Sequence, residues 1–477
     1  MLRSLFMLGI YVGFLGLSVG APFVATLGYV WVDTFQPQHV AYVIMDRFPV
    51  AMVMGAAAIG LYFLADRRAP PRPNGITYMQ VALAVWVTVT LLWAVDPVNA
   101  WAKWDWAFKT LVFAAFIPYV IRSQVQIEAF IQVYMLALAA NIIPFGLKIL
   151  IAGGGYGRNL GLTGGNSGLA EGATLASVAC MAIPLLLYLR KHARLIPSIP
   201  WFREIYLGMA ALAVLTSIGT YQRSGLVGLL VVGAATAAYS KHKIFISAVC
   251  VVVGIGIAYM TTDAWVDRIS TITTYKSDTS AMTRLLVWRW TLDYAISHPL
   301  GGGFEMYRIN AIYHPPSSAN PTGIVEYGRA FHSIYFEVLG EHGWIGLSLF
   351  LGLFGLSLLR LRRAAKLSRD VEGLEWCVDL ARALQASLLV MAACGAFIGI
   401  AFQPMIHYLF ALAVVLPEYV RRCVAQPDMP QAASSWRSRA TALPDPSDAG
   451  RGKRWAPAAV GPSPRSPGVP GIGDRIR

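Results

Sequence analysis

Apolar runs long enough to cross a bilayer recur from the N-terminus of this 477-residue chain to about residue 420, separated by short polar segments. A helix needs about 20 consecutive apolar residues to cross hydrocarbon, and a soluble core has no use for so many runs of that length. With 56% of residues hydrophobic and 13% charged, the chain reads as an all-α polytopic integral membrane protein. Spans are expected near residues 5–33 (broken at Ala21-Pro22), 42–65, 76–95, 107–121, 128–151, 168–189, 205–220, 225–239, 244–261, 343–360, 380–401 and 404–420, about twelve helices in all.

The net charge of +14 would suggest nucleic acid in a soluble protein. Here the basic residues sit in short loops: Asp66-Arg67-Arg68 to Arg72, Arg122, Arg190 to Arg194, Lys241 to Lys243, and Arg360 to Arg369. These loops fall in alternate gaps, as the positive-inside rule requires, so nucleic acid is not implied and both termini are expected in the cytoplasm. An uncleaved first span is expected, because Ser18-Val19-Gly20-Ala21-Pro22 leads into more apolar sequence. The five cysteines offer no extracytoplasmic pair and are expected as free thiols.

The pattern divides the chain into membrane helices at 1–261, a long outward loop at 262–342, further membrane helices at 343–421 and a cytoplasmic tail at 422–477. From Gln426 the tail is rich in Pro, Ser, Ala, Gly and Arg and reads as disordered. A loop of about 80 residues without structure would be unusual unless it is functional. Within it, Ser280 to Ile296 has helical spacing, with Met282, Leu285, Leu286, Trp290, Leu292 and Tyr294 on an apolar side. An amphipathic helix on or near the membrane is expected there. Gly301-Gly302-Gly303-Phe304 then ends it, and Pro315-Pro316, Pro321 and Gly323 mark irregular chain.

The loop re-enters the membrane through His332-Ser333-Ile334-Tyr335-Phe336-Glu337-Val338-Leu339-Gly340-Glu341-His342-Gly343-Trp344-Ile345-Gly346. Ionisable groups at the mouth of a span are costly to desolvate, which marks a candidate site. Two arginines share the outer face with His332 in this topology: Arg223, in the tight turn Tyr221-Gln222-Arg223-Ser224-Gly225, and Arg284, in Ala281-Met282-Thr283-Arg284. Taken singly, each has an ordinary reading: a snorkelling arginine, a solvated helix residue, a loop histidine. Taken together they supply two permanently charged forks for phosphate oxygens and one imidazole able to accept a proton. No set of residues shows metal-ligand spacing, so neither a metal nor another cofactor is expected.

His332-Ser333, then nine residues, then Gly343-Trp344-Ile345-Gly346 resembles the pattern of the O-antigen ligase and polymerase superfamily of bacterial membrane glycosyltransferases. His298-Pro299-Leu300-Gly301-Gly302-Gly303-Phe304 and the Arg223-Ser224-Gly225 turn add to the resemblance. More narrowly, Met260 to Ile272 with Tyr275, Asp278, Ser280 to Met282 and Arg284, the His332 to Gly343 segment, and Asn99 to Trp104 resemble the O-glycosylation ligases associated with exosortase A systems. The chain departs from that pattern at Ala170-Glu171-Gly172-Ala173, where an acidic-Asn-Asn stretch is expected.

The resemblance implies a glycosyltransferase C-like helical fold in the bacterial inner membrane. Its implied partners are an undecaprenyl-diphosphate-linked glycan, a protein or lipid acceptor and membrane lipids, used at the periplasmic face without metal. It implies that Arg223 and Arg284 grip the diphosphate and His332 is the base, with inversion at the anomeric carbon. Lys103 and Glu337 are candidates for support of that site, although a surface or helix-packing role is the more ordinary reading of each. A polysaccharide polymerase of the same superfamily is the alternative enzyme, separated by its acceptor. A transporter of the lipid-linked sugar is a third reading, and it would call for inverted repeats and ionisable groups at mid-span.

This topology predicts that a Ser318→Cys variant reacts with an impermeant thiol reagent in cells whose inner membrane is intact. Reaction only after that membrane is permeabilised would reverse the orientation.

Overall fold

The computed structural model describes residues 2–41, 45, 48–66, 68, 70–152, 169, 171–196, 199–239, 279–314 and 322–425. The expected span at 244–261, Tyr275, Asp278, the prolines at 315, 316 and 321 and the tail from 426 lie outside the described residues. Helices dominate: α1 (Leu2–Gly20), α2 (Phe23–Phe35), a short α3 (Pro37–Val40), α4 (Val50–Ala65), α5 (Gly75–Val89), α6 (Pro97–Val120), α7 (Gln124–Ala152), α8 (Gly172–His192), α9 (Glu204–Gly219), α10 (Arg223–Tyr239), α11 (Thr279–Ser297), α12 (Ile334–Ser368), α13 (Glu375–Gly395) and α14 (Pro404–Ala425).

Among the described residues, six helices are long and apolar enough to cross a membrane: Leu2–Gly20, Gly75–Trp93, Gln124–Ile151, Gly172–His192, Ile334–Ser368 and Glu375–Gly395. Four shorter apolar helices accompany them, Phe23–Phe35, Val50–Ala65, Glu204–Gly219 and Arg223–Ala238. Large apolar side chains stand exposed on α1 (Leu2, Phe6, Leu17), α4 (Met52, Phe63) and α5 (Val81, Val85). In water such a surface invites aggregation, whereas lipid tails accept it without cost. The protein is therefore an all-α polytopic membrane protein.

The helix ends follow local chemistry. Pro22 has no N–H to donate, so α1 stops at Gly20 and α2 restarts at Phe23, at the Ala21-Pro22 break. Asn74 caps α5 by accepting from the N–H groups of Ile76 at 2.9 Å and Thr77 at 3.4 Å. Asp96 caps α6 by accepting from Asn99 N–H at 3.3 Å, with Pro97 in the first turn. These two starts fix where Trp86 and Lys103 fall. At the centre of the bundle α8 is buried along nearly its whole length and α14 from Pro404 to Leu416, with Tyr134 of α7 donating its hydroxyl to the Met405 carbonyl at 2.9 Å.

The feature that shapes the site is a break in α12. Gly343 takes φ 64° and ψ −163°, which interrupts the helix one residue after His342. The carbonyls of Gly340, Glu341 and His342 lose their usual donors in the next turn. Other parts of the chain replace them: Gly302 N–H donates to Gly340 O at 3.0 Å and Gly303 N–H to Glu341 O at 2.8 Å. Trp86 Nε1 donates to His342 O at 2.8 Å, and Trp344 N–H turns to Pro299 O at 3.0 Å. The His298–Phe304 motif and the Gly343–Gly346 motif are thus two sides of one packed junction.

The structure adds detail to the segment between α10 and α12. α11 forms where helical spacing placed it; Val287, Thr291 and Ala295 are buried, and Leu286, Trp290 and Tyr294 pack partly buried against the cluster around Val287. Leu285, Leu292 and Ile296 from the same helix are exposed. Apolar spacing alone does not separate a face covered by protein from one covered by lipid. On either side of the stretch marked by Pro315, Pro316, Pro321 and Gly323 lie the strands of an antiparallel hairpin, β1 (Ala311–His314) and β2 (Ile324–Tyr327), pairing Ala311 with Tyr327 and His314 with Ile324.

A Cβ at position 343 would lie 2.1 Å from Pro299 O, at a φ that L-residues resist. Gly343→Ala is therefore expected to destabilise by about 4 kcal/mol or more. Gly355→Ala, farther along the same helix where nothing lies within 4 Å, is the neutral control. Thermal unfolding of the two detergent-purified variants checks this, and equal stability would contradict the junction.

Candidate functional site

Glu337 and Glu341 are four residues apart on α12, so their carboxylates share one face of the helix. That face meets Lys103 of α6, whose Nζ donates to Glu337 Oε1 at 2.8 Å and Glu341 Oε1 at 2.8 Å. Glu305 Oε1 stands 3.7 Å from the same ammonium. Lys103 is 11% exposed at its side chain and Glu341 is fully buried. Each carboxylate also takes a backbone donor. Glu337 Oε2 accepts from Ala401 N–H at 3.0 Å, and Glu341 Oε1 accepts from Glu305 N–H at 2.9 Å. The cluster continues through Ala401, whose carbonyl lies 3.0 Å from His407 Nε2, while Gln80 Nε2 is 2.9 Å from His407 Nδ1.

His332 sits one turn beyond Glu337, where the chain enters α12. Its backbone is left-handed, with φ 48°, a conformation uncommon for a residue with a side chain. Neighbours on both sides impose it. Phe331 is buried and its carbonyl accepts from Trp288 Nε1 of α11 at 2.8 Å, while Ser333 O accepts from Glu337 N–H at 2.8 Å. Trp288 also stacks on Phe336, with ring centroids 5.1 Å apart. The imidazole is half-exposed, so the rigid entry presents a reachable base.

Glu171, at the start of α8, places Oε1 3.9 Å from His332 Nδ1. That is a charge contact, longer than a hydrogen bond. The His332 pKa is lowered from its ordinary value; burial is the largest cause, Glu171 opposes it, and the positive charges of Arg284 and Arg329 add to it. A histidine so biased is neutral near pH 7 and free to take a proton.

The sequence singled out Arg223, Arg284, His332, Lys103 and Glu337. Arg284 lies on α11, within electrostatic reach of His332. Arg223 is the first residue of α10. Its turn packs on the start of α8: Ser224 Oγ donates to Ala173 O at 3.2 Å, two residues after Glu171. Glu171, Arg284 and His332 are thus within one electrostatic neighbourhood, and the Arg223 turn adjoins the helix that begins at Glu171. Lys103 and Glu337 form the buried pair beneath.

Sequence reasoning missed Glu171, Glu305 and Glu341. The spacing of Glu337 and Glu341 was a usable signal for a shared basic partner. Glu171 was visible only as a departure from a family pattern, and nothing local tied it to a histidine 161 positions later. His342 is fully buried, with Nδ1 2.9 Å from Thr90 Oγ1, and its ring packs on Phe304 and Phe402, so it serves the junction rather than the exposed face.

Residues 208–351 match the family model described as O-Antigen ligase. Residues 2–194 match a model described as a family of unknown function, DUF5935. The first match contains Arg223, Arg284, Glu305, His332, Glu337 and Glu341, and it supports a place in the O-antigen ligase superfamily and a ligase- or polymerase-like membrane glycosyltransferase. Lys103 and Glu171 come from the other matched portion. A comparison with curated proteins finds no match.

Lys103→Met would strand two buried carboxylates, a change expected to cost about 3–5 kcal/mol. Combining it with Glu337→Gln and Glu341→Gln should recover part of that loss. Thermal unfolding in detergent tests both, and a single variant as stable as the unmodified protein would show that the cluster does not hold the site.

Proposed function

We propose that this protein is an inner-membrane glycosyltransferase of the ligase type. It moves a glycan from undecaprenyl diphosphate to an acceptor hydroxyl, in O-glycosylation or in lipopolysaccharide or exopolysaccharide ligation, in the manner of the exosortase-associated ligases that its motifs resemble. The site faces the periplasm, both termini face the cytoplasm, and about twelve spans include the one expected at 244–261. The observation that carries the reading is His332, half-exposed and biased toward its neutral form, with Glu171 at 3.9 Å and the charge of Arg284 in reach.

In this reading the Glu171 carboxylate favours the tautomer with the proton on Nδ1, leaving Nε2 as the acceptor. Nε2 takes the hydroxyl proton of the acceptor while its oxygen attacks the anomeric carbon, a contribution of about 10²–10⁴ in rate. The bond from that carbon to the diphosphate oxygen breaks, and the electron pair leaves with the diphosphate. Arg223 and Arg284 bind those oxygens and offset the growing charge, a task that divalent metals perform in other phosphoryl systems. One displacement inverts the anomeric centre. Lys103 and Glu337 support the geometry from below, since Glu337 N–H holds the Ser333 carbonyl at 2.8 Å.

The test is transfer in vitro from a purified undecaprenyl-diphosphate donor, with a chelator present. His332→Ala is expected to lose about 10²-fold or more in rate while retaining donor binding and folded protein. Arg223→Lys and Arg284→Lys keep the charge but lose the planar fork, and both should impair transfer. An unchanged rate in His332→Ala would remove the base assignment, and loss of activity on chelation would remove the metal-free mechanism.

A further inference from the structure

The far end of the bundle from His332 holds a second candidate site that the transfer reaction does not use. Lys103 is near the start of α6 and Arg122 just past its end, so the two are separated by roughly 25 Å along the helix axis. α14 runs the same way, from Pro404, three residues after Ala401 beside Glu337, to Glu418, Arg421 and Arg422. A bilayer core is about 30 Å thick, which puts the two ends near opposite membrane boundaries.

At that far end a cavity of about 400 Å³ opens between the ends of α6 and α14 and the irregular segment before α5. Its charged lining is Arg72, Arg122, Arg421 and Arg422 against Glu418. Glu418 is engaged already: Arg421 binds it through Nε at 3.0 Å and Nη2 at 2.6 Å. Arg422 and Arg122 are held to the helix-end backbone, with Arg422 Nη2 donating to Arg122 O at 2.8 Å and Arg122 Nε to Tyr119 O at 2.8 Å. Val414 and Val415 supply the apolar part of the wall.

Arginines that only mark topology are ordinarily solvated, yet Arg122 is 9% exposed. Burial and the adjacent Arg68 and Arg422 charges lower its pKa, with Asp66 opposing, and a bound anion would act in the sense of Asp66. A volume of this size suits a small-molecule group. Basic pockets between membrane helices are suited to phosphate-bearing head groups.

We propose that this cavity binds the phosphate of an acidic glycerophospholipid, with Arg72, Arg122 and Arg422 as the phosphate ligands and Val414 and Val415 against the glycerol and acyl carbons. The valines favour a lipid over a soluble phosphoryl compound, although the phosphate chemistry is shared. Native mass spectrometry of the full-length protein, with cardiolipin or phosphatidylcholine added in separate arms, tests it. Cardiolipin should be retained in preference, and each of Arg122→Gln and Arg422→Gln should lower retention about fivefold. Because those two arginines also tie helix ends, Arg72→Gln is the decisive variant: Arg72 is exposed on an irregular segment, so its loss should weaken retention without changing the melting temperature. In a third arm, inorganic phosphate alone at millimolar concentration should fail to displace the lipid. Displacement would support the same arginines as ligands of a soluble phosphoryl compound. Equal retention of cardiolipin and phosphatidylcholine, or unchanged retention in Arg72→Gln, would overturn the proposal.

Discussion

The structure around the candidate site depends on one buried ammonium. Lys103 is gripped by two carboxylates a helical turn apart, at 2.8 Å each, with a third at 3.7 Å. Desolvating four ionisable groups costs several kcal/mol apiece, and mutual attraction offsets that only when geometry is good and the remaining lone pairs are met. Here backbone N–H groups of Ala401 and Glu305 meet Glu337 Oε2 and Glu341 Oε1, while Glu341 Oε2 has no hydrogen-bond partner among the described residues, and the cluster ties α6, α12, the chain before α14 and the glycine-rich loop together at a single point. Replacing one member leaves the others buried without their partner. That asymmetry turns an energetically unremarkable ion cluster into a rigid foundation.

The rigidity matters because His332 stands directly on it. Glu337 joins the two levels: its side chain belongs to the ion cluster and its N–H holds the Ser333 carbonyl. The break at Gly343 then frees the carbonyls of residues 340–342, and the glycine-rich loop and Trp86 occupy them. A base must meet its proton within about 3 Å, and a site carried on an unsupported loop would not keep that distance. The histidine is instead presented from a helix start with Phe331 buried behind it and Trp288 packed over the adjoining turn.

Much of this was legible in the sequence, and the remainder was hidden for definite reasons. Hydropathy marked the membrane helices and Pro22 marked the break after α1, because both are local properties. Arg223, Arg284 and His332 stood out because charge at a membrane boundary is rare. The partners of these groups were not visible, since Lys103 and Glu341 are 238 positions apart and no local rule pairs them. Glu171 drew notice only as a mismatch to a pattern, yet its carboxylate is at His332. Which side of α11 packs on the protein was not legible, because lipid accepts the same side chains as a protein interior, which removes the polar contrast on which helical periodicity relies.

The two family matches divide the site in a consistent way. Most of the cluster lies in residues 208–351, while Lys103 and Glu171 come from residues 2–194, so the portion without an assigned role contributes one group to each level. If His332 is a base tuned by this setting, its titration must answer to charges from both portions. The most direct measurement is the pH profile of kcat/KM for glycan transfer, whose acid limb reports protonation of the free enzyme's base. Glu171→Gln removes a charge that raises the His332 pKa, so the acid limb should move to lower pH. Arg329→Gln removes one that lowers it, so the limb should move to higher pH. Acid limbs that coincide in the unmodified protein and both variants would contradict His332 as the titrating base.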